Sequence, residues 1–131
     1  MKKKAMTPED LKDRTKEFAL RIMGLVDALP KTTAGRTVGG QLLRSATSVG
    51  ANYRAACRGR SKAEFIAKLG IVIEEADESA YWLELIIASQ MLPEQRASAL
   101  LTEAGELAAI FTASVKSASA NQKSAIRNQQ C

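Results

Sequence analysis

The sequence predicts an all-α protein, an antiparallel up-down-up-down four-helix bundle, and three observations predict it. Apolar residues recur at spacings of 3, 4 and 7 in four separate stretches, the signature of helices with one buried face. Short breaks carrying Pro, Gly or Ser divide those stretches. The 46% hydrophobic content contains only 5% aromatic residues, leaving the core to Leu, Ile, Val and Ala, a composition that favours helix. Short connections between long helices then favour antiparallel neighbours. At 131 residues the chain buries roughly two-thirds of its unfolded surface, enough for one domain. The expected division is a bundle over 1–116 and a polar, disordered tail over 117–131, where Ile126 is the only large apolar residue.

The first helix starts at Thr7, an N-cap followed by Pro8 and by Glu9 and Asp10 in the first turn, where they meet the positive end of the helix dipole. Its seam, Leu11, Phe18, Ile22, Leu25 and Leu29, ends at Pro30, and 31–36 is expected as a loop. The second helix is expected after Gly39 and Gly40, with a seam of Leu42, Ala46, Val49, Tyr53 and Ala56 and a stop at Gly59. Ser61-Lys62-Ala63-Glu64 fits a capping box opening the third helix. That helix carries two stripes, Phe65, Leu69, Val72, Ala76 and Leu83 beside Ile66, Ile73, Ala80 and Ile87, so its buried face is wide. After Leu92-Pro93 a fourth helix carries Leu100, Ala104, Leu107 and Phe111 beside Leu101, Ala108 and Val115. Gly24, Gly50, Gly70 and Gly105 fall inside helices, which costs roughly 1 kcal/mol each unless a close contact compensates. Contacts within the bundle and contacts between subunits both provide that compensation.

Composition removes most catalytic readings. The chain has no histidine, so His-dependent triads, His general bases and the usual His-containing metal sites are excluded, and no enzyme, cofactor or metal is expected. Cys57 and Cys131 lack a CxxC spacing and suit reduced thiols in a cytoplasmic protein. Met1-Lys2-Lys3-Lys4 is followed by Thr7-Pro8-Glu9-Asp10 rather than an apolar stretch, so no export signal is expected. The most apolar window, 81–92, contains Glu84 and Gln90 and is too short to span a membrane.

Charge placement is more informative than the net charge of +5. No acidic residue lies between Asp27 and Glu64, while Lys31, Arg36, Arg44, Arg54, Arg58, Arg60 and Lys62 do. At about 100° per residue Arg44, Arg54 and Arg58 share the solvent side of the second helix, and Arg58, Arg60 and Lys62 crowd the turn that follows. Arginines on a rigid helix neutralise phosphates without reading sequence, so Arg44, Arg54, Arg58, Arg60 and Lys62 are the candidate nucleic-acid-binding residues. With Tyr53 on the seam and Trp82 in the acidic half, base stacking is not indicated, and duplex DNA or folded RNA is the favoured polyanion. An equally weighted alternative is a solvated face whose arginines pair with acids of a neighbouring helix. Glu74 and Glu78, part of a cluster with Glu75 and Asp77, repel at i,i+4 unless a cation intervenes. A small thiol beside Arg58, Cys57 reads as helix packing.

The stretches Gln41-Leu42-Leu43-Arg44-Ser45-Ala46, Ser48-Val49-Gly50-Ala51-Asn52 and Arg60-Ser61-Lys62-Ala63-Glu64-Phe65 resemble the four-helix bundle family encoded in intervening sequences of large-subunit (23S) rRNA genes. The resemblance spans roughly residues 10 to 115. It implies a homo-oligomeric, pentameric ring, and through the relative that serves diversity-generating retroelements, the accessory variability determinant, it implies engagement of nucleic acid and of a reverse transcriptase. The expected partners are therefore a second copy of the chain, structured RNA or DNA, and a nucleic-acid enzyme, with a nucleic-acid-free protein scaffold as the alternative. Where the family usually reads Asn-Ile-Ala-Glu-Gly this chain reads Asn52-Tyr53-Arg54-Ala55-Ala56, exchanging an acid for a more positive surface. Asn52 is expected to cap or cross-link a neighbouring helix, and Ser61 and Glu64 to hold the third helix start.

Overall fold

A computed structural model describes residues 6–129, with side chains for residues 6–121. Four helices, α1 (Pro8–Asp27), α2 (Thr33–Cys57), α3 (Lys62–Ala88) and α4 (Glu94–Gln129), follow one another, and no strand occurs among the described residues. Connections of four or five residues turn each helix back along its predecessor. α2 and α4 both pack extensively against α3, α1 lies along α2, and a lighter α1–α4 contact closes the square. None of the helices is long and apolar enough to cross a membrane among the described residues.

The seams expected from spacing form the core. Phe18 and Ile22, Leu42 and Val49, Leu69, Val72, Leu83 and Ile86, and Leu107 and Phe111 are almost wholly buried. Tyr53 and Phe111 meet across the bundle diagonal, ring centroids 5.0 Å apart and planes tilted by 43°, an arrangement aromatic quadrupoles favour. The few buried polar groups are satisfied locally. Thr15 donates to the Leu11 carbonyl at 2.8 Å and Ser45 to the Leu42 carbonyl at 3.1 Å. The Ser79 hydroxyl lies 3.0 Å from Ser45 Oγ and 2.9 Å from the Glu75 carbonyl, joining α2 to α3. Only the Trp82 indole nitrogen is buried without a partner among the described residues.

The caps agree with the sequence, with one shift of detail. Thr7 and Asp10 form a reciprocal capping box. Ser61 accepts from the Glu64 amide at 3.1 Å, while the Glu64 carboxylate reaches one residue further back, to the Arg60 amide at 3.0 Å. α3 ends in a Schellman arrangement: the Met91 amide donates to Ile86 and the Gln90 amide to Ile87, both at 3.1 Å. Gln90 there adopts a φ of 60°, the left-handed conformation usually left to glycine.

Two boundaries differ from expectation. The second helix begins at Thr33, so most of the expected 31–36 loop is helical, and Gly39 and Gly40 lie inside the helix. Thr32 caps it by accepting from the Gly35 amide. Glycine serves close approach here rather than chain breaking: a Cβ on Gly35 would stand 2.0 Å from the Pro30 carbonyl oxygen, and one on Gly39 3.1 Å from a Leu29 methyl. The second difference is α4, which continues through the segment expected as a tail as far as Gln129. No Gly or Pro interrupts 106–131, its Ala, Lys and Gln are compatible with helix, and Ala118 is buried at 6% exposure. At 1.5 Å per residue the 36 residues of α4 against 27 in α3 carry its last turns beyond the α2–α3 connection. Residues 130 and 131, including Cys131, lie outside the described residues.

A clamp joins the first helix to the last. Arg14 donates through Nε and Nη2 to both carboxylate oxygens of Glu103, at 2.8 and 2.6 Å, and through Nη2 to Glu106 at 2.7 Å. The Arg14 hydrogen bond is the main cause that holds the Glu103 carboxyl below the usual range, overcoming partial burial, and the Glu103 hydrogen bond raises Arg14. A carboxyl depressed in the folded state contributes stability above its ordinary pKa and loses it as pH falls through its folded value.

Two outcomes are expected in urea titrations followed by circular dichroism. Gly35→Ala destabilises by about 2 kcal/mol through overpacking, whereas Gly105→Ala, whose Cβ meets nothing among the described residues, gains about 1 kcal/mol in helix propensity. Glu103→Gln weakens the fold at pH 7 and flattens the loss of stability below about pH 4.3; a wild-type acid limb in that variant removes the clamp from the account.

Candidate nucleic-acid interface

The antiparallel arrangement brings the start of α1, the end of α2 and the start of α3 to one end of the bundle. Arg54, Arg58, Arg60 and Lys62 are all exposed at that end. Arg54 sits in the last turn of α2, where a cation also interacts favourably with the helix dipole. Arg58 is the C-cap, its amide donating to the Ala55 carbonyl. Arg60 is held through its backbone by Glu64, which leaves the guanidinium free, and Lys62 opens α3.

Arg44 is placed differently. It lies ten residues before Arg54 on the same helix, about 15 Å along the axis, and turns toward α3. There it donates to Gln41 at 3.3 Å, to Glu75 at 2.9 Å and to Glu78. The cation expected between Glu74 and Glu78 thus lies between Glu75 and Glu78 instead, and the pairing with a neighbouring helix weighed for these arginines holds for Arg44, whose charge is balanced by two acids. Glu74 and Asp77 are exposed on the neighbouring side of α3.

A cleft of about 330 Å³ runs between α1 and α2, where Arg54 stands with Lys12, Lys16, Glu9 and Asp13. Gly50 permits the approach that forms its floor, since a Cβ there would stand 3.1 Å from Thr15 Oγ1. Lys12 pairs with Glu9 at 3.2 Å. The side chains of Lys16, Arg54, Arg58, Arg60 and Lys62 form no ion pair among the described residues. Acids are nearby, Glu9 and Asp13 in the cleft and Glu64 at the start of α3, yet the cations outnumber them. Lys12 and Lys16 were not among the sequence candidates. Their i,i+4 spacing on the first helix was visible; their placement beside Arg54 required the antiparallel pairing.

Asn52 does not cross-link a neighbouring helix. Its amide donates to the Ser48 carbonyl one turn earlier, at 2.9 Å, because its position on the flank of the seam directs it along its own helix. Tyr53 is buried at 4% exposure beside Cys57, and burial first, the neighbouring thiol second, raises its pKa well above the ordinary phenol value. The phenol stays neutral and stacks on the core.

The profile described as 23S rRNA-intervening sequence protein matches residues 10–113. No curated protein matches the chain. Among solved structures, a Bacteroides thetaiotaomicron VPI-5482 protein described as of unknown function and of the S23 ribosomal protein family is similar: 36% identity over 81% of this chain and 98% of that one, with a TM-score of 0.76.

The Arg44 placement is checked by a double-mutant cycle on Arg44→Ala and Glu78→Ala. With Arg44 47% exposed, the expected coupling is about 0.5 kcal/mol, reduced by added salt. A coupling of zero at low salt sets the pair aside.

Proposed function

The chain belongs to the 23S rRNA-intervening sequence protein family, and from that membership and the unpaired cations at one end of its bundle we propose that it is a cytoplasmic, non-enzymatic, homo-oligomeric adaptor for structured RNA or DNA. The observation that carries the reading is the group Lys16, Arg54, Arg58, Arg60 and Lys62, five exposed cations without an ion pair. Rigid helix ends present them, so little ordering entropy is lost when phosphates bind. Arg44, already neutralised, contributes to the fold and not to the contact.

Assembly is supported by surface that one bundle leaves exposed. Leu20 and Met23 on α1 and Tyr81 on α3 are each about half exposed, at 51, 48 and 52%. The helical glycines Gly24 and Gly70 have open space where a side chain would stand, so no contact among the described residues offsets their cost. In a pentamer the weak phosphate contacts of five copies add by avidity, and a nucleic-acid enzyme such as a reverse transcriptase is the kind of partner such an adaptor serves. The same apolar surface favours the second reading, a protein scaffold with no nucleic-acid role.

The test is fluorescence anisotropy of a folded RNA and a duplex DNA across salt concentrations, with subunit number from light scattering. Submicromolar binding is expected, falling log-linearly with salt by about 0.9 log units per phosphate contact for the duplex. Arg54→Glu with Arg58→Glu is expected to lower affinity at least tenfold with helicity and assembly unchanged, while Arg44→Gln changes it little. Equal binding by wild type and double variant at one salt concentration overturns the reading. A pull-down that survives nuclease and high salt favours the scaffold.

A further inference from the structure

Beside the α2–α3 turn lies a second hollow, of about 540 Å³, a size that accommodates a small organic ligand. Its apolar side is formed by Tyr53, Ala56, Cys57 and Phe65, and Lys12 and Lys62 stand at its edge. Tyr53 and Ala56 are core residues whose inner faces are packed, whereas Phe65 and Cys57 are half-buried. Gly59 keeps this side open: a Cβ there would already stand 3.4 Å from the Phe65 amide nitrogen and 3.0 Å from the Ala56 carbonyl. Ser61 uses its oxygen to accept from the Glu64 amide, which leaves the hydroxyl proton available. A flat apolar group thus finds an aromatic wall, and an anion attached to it finds Lys62 and the first turn of α3, with Lys12, which pairs with Glu9, at the far edge and Arg58 and Arg60 exposed on the adjoining turn.

We infer that this hollow is the subsite for one unpaired nucleotide, its base against Phe65 and its phosphate at Lys62. The inference rests on the polyanion reading and narrows it: the preferred ligand is a folded nucleic acid that presents an unpaired base, not a blunt duplex. Charge selects the occupant, because a neutral or cationic aromatic group gains nothing from the surrounding cations. Phe65, spaced with the apolar stripe of α3, packs against the core on one side and borders the hollow on the other.

The experiment compares an RNA hairpin carrying an unpaired purine loop with a blunt duplex of equal phosphate number at one salt concentration. The full-length protein is used as wild type and as Phe65→Leu, which keeps an apolar side chain and the fold. Expected are a roughly tenfold preference for the hairpin, the scale of one base stacked on an aromatic, and loss of that preference in Phe65→Leu with duplex affinity unchanged. In a Cys131→Ser background, where Cys57 is the remaining cysteine, the hairpin is expected to slow alkylation of Cys57 and the duplex is not. Protection by adenosine monophosphate alone, without a hairpin preference, assigns the same subsite to a free nucleotide. Equal affinities, with Cys57 alkylated at one rate under hairpin, duplex and mononucleotide, overturn the subsite and leave the polyanion reading standing. If neither nucleic acid binds and the mononucleotide does not protect Cys57, both fall.

Discussion

The register of α2 against α3 is the constraint on which the rest of the molecule depends. Two contacts set it: the Ser79 hydroxyl against Ser45 inside the bundle, and Arg44 against Glu75 and Glu78 at its surface. The buried hydroxyls are the stricter of the two, because a slip of one turn, about 5.4 Å, would separate them and break the Leu42, Val49 and Leu83 packing. The surface pairs add less, as exposed ion pairs do. With that register in place, the cationic end of α2 and the capped start of α3 meet at a four-residue turn, and the basic end of the bundle follows.

The first helix completes that end by approaching α2 where glycine allows it. Gly35 and Gly39 let the chain fold back directly after Pro30, and Gly50 brings the helices together at Thr15. Lys12 and Lys16 then stand along the same cleft as Arg54. From the opposite side, the Arg14 clamp to Glu103 and Glu106 ties α1 to α4, where the two helices otherwise touch lightly. One end of the bundle therefore carries exposed cations contributed by three helices, Lys16 of α1, Arg54 of α2 and Lys62 of α3 among them.

Legibility along the chain followed how local each determinant is. Heptad spacing placed Leu11 through Leu29, Leu42 through Ala56 and Leu100 through Phe111 on the buried faces they occupy, because burial of a helical stripe repeats every turn. Thr7 and Ser61 were legible as caps because their partners lie three residues away. Gly39 and Gly40 misled, since a glycine needed for close helix approach looks in sequence like one that ends a helix. The polar stretch after Ser117 misled for the opposite reason: low hydrophobicity argues for a tail, yet nothing in it opposes helix and α4 is already nucleated upstream.

The amino-acid sequence by itself determined the four amphipathic helices, the caps Thr7 and Ser61, and the concentration of cations between Asp27 and Glu64. Only the tertiary structure decided which of those cations are free. Arg44 and Arg54 share one side of one helix in projection, yet one meets two carboxylates of α3 and the other opens onto α1. It also decided that Phe65, spaced as a core residue, borders a hollow beside Lys12 and Lys62. The physical reason is range: periodicity and capping act over three or four residues, whereas charge compensation and cleft formation join residues more than thirty positions apart, and those distances close only when the helices pack.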